Sequence, residues 1–185
     1  MPLLTLADAK AQLNLKTDRD DTELQVYIDA VTPVIEEYIG PVDPREVSEQ
    51  HDTGTGRRLV VLRTMPVLSL TSVEPVLTGG SSYPVDALVL DAATGSVRRR
   101  DGGWFHGLLE VTVQAGRASV TPTINLAARM LVQHLWRTQR PSRSGGLAGG
   151  GDDYSVSEPI VGFGYAVPNR VLELLAPYRL PPGVA

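Results

Sequence analysis

The sequence predicts an α+β fold with an N-terminal helix pair, a central antiparallel β meander, a long C-terminal helix and a flexible arm that ends in a short helix. Three observations predict it. Apolar residues recur at steps of three and four over residues 20–39 and 122–139, which is the period of amphipathic helices. Over residues 46–115, short β-branched runs alternate with Gly, Pro, Ser and Asp, a pattern typical of strands joined by turns. A glycine-rich stretch then precedes a short apolar segment.

The helix pair is predicted over residues 5–13 and 20–39. Asp20 and Glu23 have the spacing of a capping box, in which side chains satisfy the first backbone amides of a helix. Gly40 followed by Pro41 predicts the end of the second helix. One side of that helix is apolar and therefore requires a partner surface; its residues are Leu24, Tyr27, Ile28, Val31, Val34, Ile35, Tyr38 and Ile39.

The β region is predicted to contain six strands. Gly95, at the end of the turn over residues 93–95, can adopt the positive φ that tight hairpins often require. This turn predicts that the two strands next to it pair with each other. The predicted strands span residues 47–51, 59–63, 67–76, 88–90, 96–99 and 108–114.

The long helix is predicted over residues 122–139. Thr121 is suited to the N-cap and Pro122 to the first helical position, where the missing amide costs nothing. An apolar line on this helix predicts burial and consists of Ile124, Ala128, Leu131 and Leu135. The opposite polar line consists of Arg129, Gln133, Arg137 and Arg140.

The pattern divides the chain into three parts. Residues 1–140 form the predicted body, residues 141–161 a flexible Gly/Ser-rich linker, and residues 162–185 a C-terminal docking arm. An apolar segment at the end of a flexible linker is expected to dock, either on its own body or on a neighbour.

Composition excludes several classes of protein. With 185 residues, 42% of them hydrophobic, the chain can bury a core, and no apolar run is long enough to cross a membrane. The formal charge of −4 argues against a protein whose main role is to bind nucleic acid. Because cysteine is absent, disulfides, thiolate catalysis and cysteine-based metal sites are excluded.

The sequence carries no recognisable catalytic motif. His51, His106 and His134 lie far apart and show no metal-ligand spacing. No Gly-x-Ser-x-Gly motif occurs, and the glycines of residues 145–151 lack the Gly-Lys-Ser ending of a phosphate loop. We therefore expect no enzyme, no catalytic residue, no cofactor and no metal.

Two basic stretches are candidates for contacts. Residues 98–100 are three arginines at the end of a predicted strand, which either touch phosphate or lie in solvent. Arg129, Arg137, Arg140 and Arg143 lie along the long helix and just beyond it, where they form one basic ridge. The ridge either pairs with an acidic neighbour or is solvated.

Several segments, taken in their order along the chain, match a known pattern. They are residues 4–10 with 20–24 and the helix end at 40–41, residues 65–73, residues 111–117, residues 127–129 leading to 134–136, and residues 164–170 with 173–175. In this order they resemble the head-tail connector proteins, or adaptors, of tailed bacteriophages.

The resemblance implies a structural protein of the virion neck, assembled in the host cytoplasm. It implies a homo-oligomeric ring, typically of twelve copies, that binds the portal protein above and a tail-side neck or stopper protein below. Double-stranded DNA would pass through the channel during genome ejection without specific binding. The acidic net charge agrees with this, because strong phosphate contacts would retard the DNA. In such a ring, Arg129, Arg137 and Arg140 are the candidates for subunit–subunit or channel contacts. No membrane contact is expected.

In adaptors of this kind the C-terminal arm often reaches the portal. The expected portal-contact residues are therefore Phe163, Tyr165, Pro168, Arg170, Leu174 and Tyr178. Three alternatives stay open: another neck or tail-completion protein, a DNA-binding module that uses the arginine ridge, and a small hydrolase that uses an aspartate together with His51 or His106.

Overall fold

The computed structural model of the protein describes residues 3–139 and 167–180, and these residues form two compact units. The helical unit takes its residues from 3–39, 120–139 and 167–179, and the β unit consists of Gly40–Ser119 together with Leu180. The helices are α1 (Leu6–Leu13), α2 (Asp21–Ile39), α3 (Pro122–Gln139) and α4 (Asn169–Leu175), with a 3₁₀ turn at Ala176–Tyr178. The predicted α+β class and the predicted helices are confirmed. None of the described helices is long and apolar enough to span a bilayer.

The N-terminal helix pair is held by local polar contacts. The Thr5 hydroxyl caps α1 by accepting a hydrogen bond from the Asp8 amide at 3.1 Å. The connection to α2 is fixed by the Lys10 ammonium, which lies 2.6 Å from Asp18 and 2.8 Å from Asp21. These two carboxylates raise the pKa of Lys10, Asp18 having the larger effect.

The core of the helical unit forms where the apolar sides of α2 and α3 meet, as their periodicity predicts. Thr121 precedes α3 as expected, yet its hydroxyl has no hydrogen-bond partner among the described residues, so side-chain capping is not confirmed. The buried residues of α2 are Leu24, Ile28, Val31, Ile35 and Ile39, and those of α3 are Ile124, Ala127, Ala128, Leu131, Val132 and Leu135.

The β unit contains two three-stranded antiparallel sheets. The first has the order β1 (Arg45–Asp52), β6 (Leu108–Ala115), β3 (Val67–Pro75). In it, Arg45 pairs with Ala115 and Asp52 with Leu108. The second has the order β2 (Val60–Val61), β5 (Ser96–Arg99), β4 (Leu88–Asp91). Gly95 has φ +66° in the β4–β5 hairpin, as predicted.

The strand order differs from that of a simple meander. Strand β6, the last in sequence, lies between β1 and β3 and bonds to both. Its residues Leu109, Val111, Val113 and Ala115 are fully buried, which explains why this strand is central. They share the core with Val60, Leu62, Val67, Val73, Tyr83, Leu88, Val97 and Phe105.

Candidate assembly surfaces

Helices α1 and α3 are joined by a ladder of polar contacts. Its α3 members are spaced four residues apart and therefore lie on one side of that helix. The contacts run from Asn125 Nδ2 to the Leu3 carbonyl (3.0 Å), from Arg129 Nη2 to Asp8 Oδ1 (2.5 Å), and from Gln12 Nε2 to Gln133 Oε1 (2.9 Å). The N-terminal segment is thus fixed to α3 by directional bonds.

This ladder includes Arg129, one of the arginines of the predicted basic ridge. The Arg129 guanidinium also donates from Nε to Asn125 Oδ1 at 2.7 Å, so it is engaged within the helical unit. Arg137 is exposed near the end of α3, whereas Arg140 lies outside the described residues. The sequence left open whether the ridge pairs with an acidic neighbour. Arg129 does so, and its partner is Asp8 of the same chain.

Helix α4 packs on the helical unit of its own chain. Val171 and Leu175 are 0% and 2% exposed, and the Arg179 guanidinium lies 5.4 Å from the centre of the Tyr38 ring. The apolar seam between α4 and its neighbours is lined by Val34, Ile35, Tyr38, Leu131, Val167, Val171, Leu172 and Leu175.

The residues predicted to contact a portal fall into three groups. Phe163 and Tyr165 lie outside the described residues. Pro168 is buried at the start of α4. Arg170 is exposed, and Leu174 and Tyr178 are half-buried, so these three present atoms to solvent.

A buried carboxylate organises one side of the β unit. Glu49 on β1 accepts hydrogen bonds from the Thr64 amide (2.6 Å) and the Arg63 amide (2.9 Å), and His51 Nε2 lies 3.0 Å away. Burial alone would raise the pKa of Glu49, but these hydrogen bonds outweigh it and lower the pKa to about 2. The carboxylate therefore joins β1 to the segment that follows β2.

The histidines occupy three unrelated environments. His51 contacts Glu49, His106 Nδ1 lies 2.9 Å from the Thr55 carbonyl oxygen, and His134 is half-buried on α3, where burial lowers its pKa. In residues 3–139 and 167–180, no three His, Asp or Glu side chains are placed to hold a metal ion.

An exposed tryptophan on the β unit was not among the contact residues predicted from the sequence. Trp104 is 46% exposed, and the Arg58 guanidinium lies 5.1 Å from the centre of its ring. Arg99, from the triple-arginine stretch, donates from Nη1 to the Trp104 carbonyl at 2.9 Å and pairs with Asp101. An open cleft of about 660 Å³ beside the ring is lined by Asp52, Thr53, Gly54, Thr55, Gly56, Arg57, Arg58 and Trp104.

The family of the chain follows from a comparison over nearly its whole length. The family model of head completion proteins matches residues 2–180. The chain belongs to the head completion protein family. As a member of this family it is a structural virion protein and not an enzyme. The resemblance to head-tail connector proteins is confirmed at the level of the family.

Solved structures with the same fold come from gene transfer agent (GTA) particles. A chain from the neck of the empty GTA particle, computed with C6 symmetry, is 19% identical with a TM-score of 0.65, and the match covers 98% of this chain and 92% of that one. A chain from the native neck, computed with C12 symmetry, is 19% identical with a TM-score of 0.57, covering 95% and 90%. The native GTA virion supplies another at 19% identity and TM-score 0.62, covering 98% and 92%. No curated protein matches the sequence.

Proposed function

We propose that this head completion protein is a head-tail connector in the neck of a tailed phage. It forms a ring of twelve copies beneath the portal protein, meets a tail-side neck or stopper protein on the other side, and leaves a channel for double-stranded DNA. Its action is geometric, since the ring joins the DNA-filled head to the tail without chemical turnover. Assembly takes place in the host cytoplasm.

The family match over residues 2–180 carries this proposal. The similar chains of GTA particles, two of them from necks, support it by sharing the fold. Two of the matches cover 98% of this chain and 92% of the GTA chain, and the third covers 95% and 90%. Those necks were computed with C6 and C12 symmetry, and a twelvefold ring of this protein is compatible with both.

The portal contact is proposed for the outward side of the C-terminal arm. Because Val171 and Leu175 already pack inside the helical unit, the portal would meet Arg170, Leu174 and Tyr178. An arginine beside aromatic and aliphatic side chains is a common composition of interface anchors. In this proposal residues 141–161 act as the linker and residues 162–185 as the docking arm, which includes Phe163 and Tyr165.

The subunit and channel contacts are proposed for α3. Arg137 is the exposed candidate, and Arg140 follows it in the sequence. Arg129 has a different place in the proposal, since its bond to Asp8 shapes the subunit before any ring forms. The net charge of −4 allows DNA to slide, because few phosphates are held.

Electron microscopy of the protein mixed with its cognate portal ring tests the proposal. We expect an added layer of density that has the portal's rotational symmetry. The double variant Arg170→Glu with Leu174→Asp should lose the layer, whereas Arg19→Glu, an exposed charge reversal before α2, should keep it. If both proteins are folded at micromolar concentration and no layer forms, the connector role is wrong and a tail-completion role replaces it.

A further inference from the structure

Trp104 is held in place although much of its ring faces solvent. Arg58 covers part of the ring, and Arg99 binds its carbonyl. A Cβ atom placed on Gly56 would lie 3.1 Å from Trp104 Cε3 and 3.0 Å from His106 Cε1, so the absence of a side chain at Gly56 lets both rings approach the loop. An exposed ring that is already ordered loses little conformational entropy when a partner binds.

The loop that carries this cluster is itself fixed by the β unit. The Thr53 amide and hydroxyl donate to the Gly107 carbonyl at 2.9 and 2.7 Å, and the Gly107 amide donates to the Gly54 carbonyl at 3.1 Å. Arg57 and Phe105 exchange backbone hydrogen bonds at 2.9 and 2.7 Å. The cleft next to Trp104 is therefore a preformed feature of the fold.

The charge around the cleft favours an anionic partner. Arg57 and Arg58 are exposed at its rim, and the lining contains one carboxylate, Asp52. The Asp52 Oδ1 atom accepts a hydrogen bond from the Gly54 amide at 2.8 Å, so that oxygen is engaged by the loop. The cluster is thus locally basic on a chain whose net charge is −4.

Two observations favour protein over DNA as the source of the anionic groups. Two rim arginines allow few phosphate contacts, and the acidic chain as a whole repels a duplex. The bases of duplex DNA are also paired and stacked on one another, so they offer no free face on which the Trp104 ring could stack. Tryptophan and arginine together are, by contrast, the side chains most enriched at the centres of protein interfaces.

We propose that the Trp104–Arg58 cleft binds an acidic segment of a partner protein. Carboxylates of the segment pair with Arg57 and Arg58, and its apolar atoms cover the open part of the Trp104 ring. This inference does not depend on ring formation or on portal binding, because the cleft is complete within one β unit.

The emission of Trp104 provides a direct test. The chain has two tryptophans, and Trp136→Phe removes the other one while keeping an aromatic ring beside Tyr27, 6.1 Å away between ring centres. In this full-length background we would titrate decaglutamate peptide and use decaglutamine as the uncharged control. We expect the Trp104 emission to change saturably with decaglutamate and to stay constant with decaglutamine. In Arg58→Ala the dissociation constant for decaglutamate should rise about tenfold, which is the scale of one lost charged contact.

Matched variants and a second ligand make the outcome decisive. Arg19→Ala removes the same charge from an exposed site in the helical unit and should leave binding unchanged. Circular dichroism confirms that each variant is folded. Equal binding by Arg58→Ala, no saturation with decaglutamate, or tighter binding of a 20-base-pair duplex would each overturn the proposal. An emission change that depends on protein concentration without peptide would assign the cleft to a second copy and also overturn it.

Discussion

The Arg129 guanidinium and the Asp8 carboxylate meet at 2.5 Å between Nη2 and Oδ1, which ties α3 to α1. Both side chains are about one-third exposed. Arg129→Gln and Asp8→Asn should each lower the free energy of unfolding, and a double-mutant cycle should give a coupling of about 0.5–1 kcal/mol, the usual range for partly exposed pairs. Urea denaturation measures it.

The same double-mutant cycle distinguishes an effect of Arg129 on subunit stability from an effect on ring assembly. Arg137→Gln removes a charge from the exposed part of α3 and serves as the comparison. A coupling near zero between residues 8 and 129, together with loss of ring formation in Arg129→Gln alone, would show that Arg129 acts between subunits.

Glu49 should make the stability of the β unit depend on pH. Its pKa is about 2 in the folded chain, below the ordinary value of 4.5, so its stabilisation is complete above about pH 5 and is lost as pH falls toward 2. The shift corresponds to about 3 kcal/mol. Glu49→Gln should therefore lower stability by about 2–3 kcal/mol at pH 7 and flatten the profile between pH 5 and 2.

Chemical denaturation across that pH range checks this prediction. Glu46→Gln, at an exposed position of the same strand, is the matched control. If the Glu46→Gln and Glu49→Gln profiles have the same slope, the carboxylate of Glu49 is not the source of the pH dependence.

Gly40 should tolerate no side chain. It has φ +78°, and a Cβ atom there would lie 1.8 Å from the Met65 carbonyl oxygen, which is backbone and cannot easily move away. Gly40→Ala should cost roughly 3 kcal/mol or more. Gly54→Ala shares the positive φ, at +53°, but meets nothing within 4 Å, so its cost should be about 1 kcal/mol. Similar unfolding midpoints for the two variants would contradict the steric argument.

Adjacent leucines of α4 should behave differently. Leu175 is 2% exposed in the helical core, so Leu175→Asp buries a charge and should destabilise that unit by roughly 3 kcal/mol or more. Leu174 is half-buried, so Leu174→Asp should keep the fold and, in the proposed connector, weaken portal binding. Thermal unfolding and portal co-sedimentation distinguish them. Equal melting temperatures for the two variants would show that α4 is not part of the core.

Local pattern was sufficient to predict the helices and most strands. The apolar periodicity of α2 and α3 reflects burial directly, and the glycine at position 95 predicts the hairpin turn in which it lies. Pairing of residue 45 with residue 115 left no comparable trace, because neighbouring residues do not encode which distant strand will be the partner. The strand order therefore required the structure.

The candidate surfaces were harder to predict than the fold. Periodicity places Arg129 on the polar side of α3, but it cannot show that this side meets Asp8 and not solvent. Trp104 and Arg58 come from separate loops, and only the folded β unit brings them together. An isolated tryptophan among glycines was the sole signal available in the sequence.

The helical unit is discontinuous, and residues 40–119 of the β unit lie in sequence between α2 and α3. During translation, α2 therefore leaves the ribosome long before the surface that will cover its apolar side. The first sheet has the same delay, since β1 and β3 must wait for β6. Both units are consequently completed late in synthesis. A nascent chain stopped before residue 108 lacks both β6 and α3, so the apolar surfaces that these two elements cover in the folded chain are still exposed.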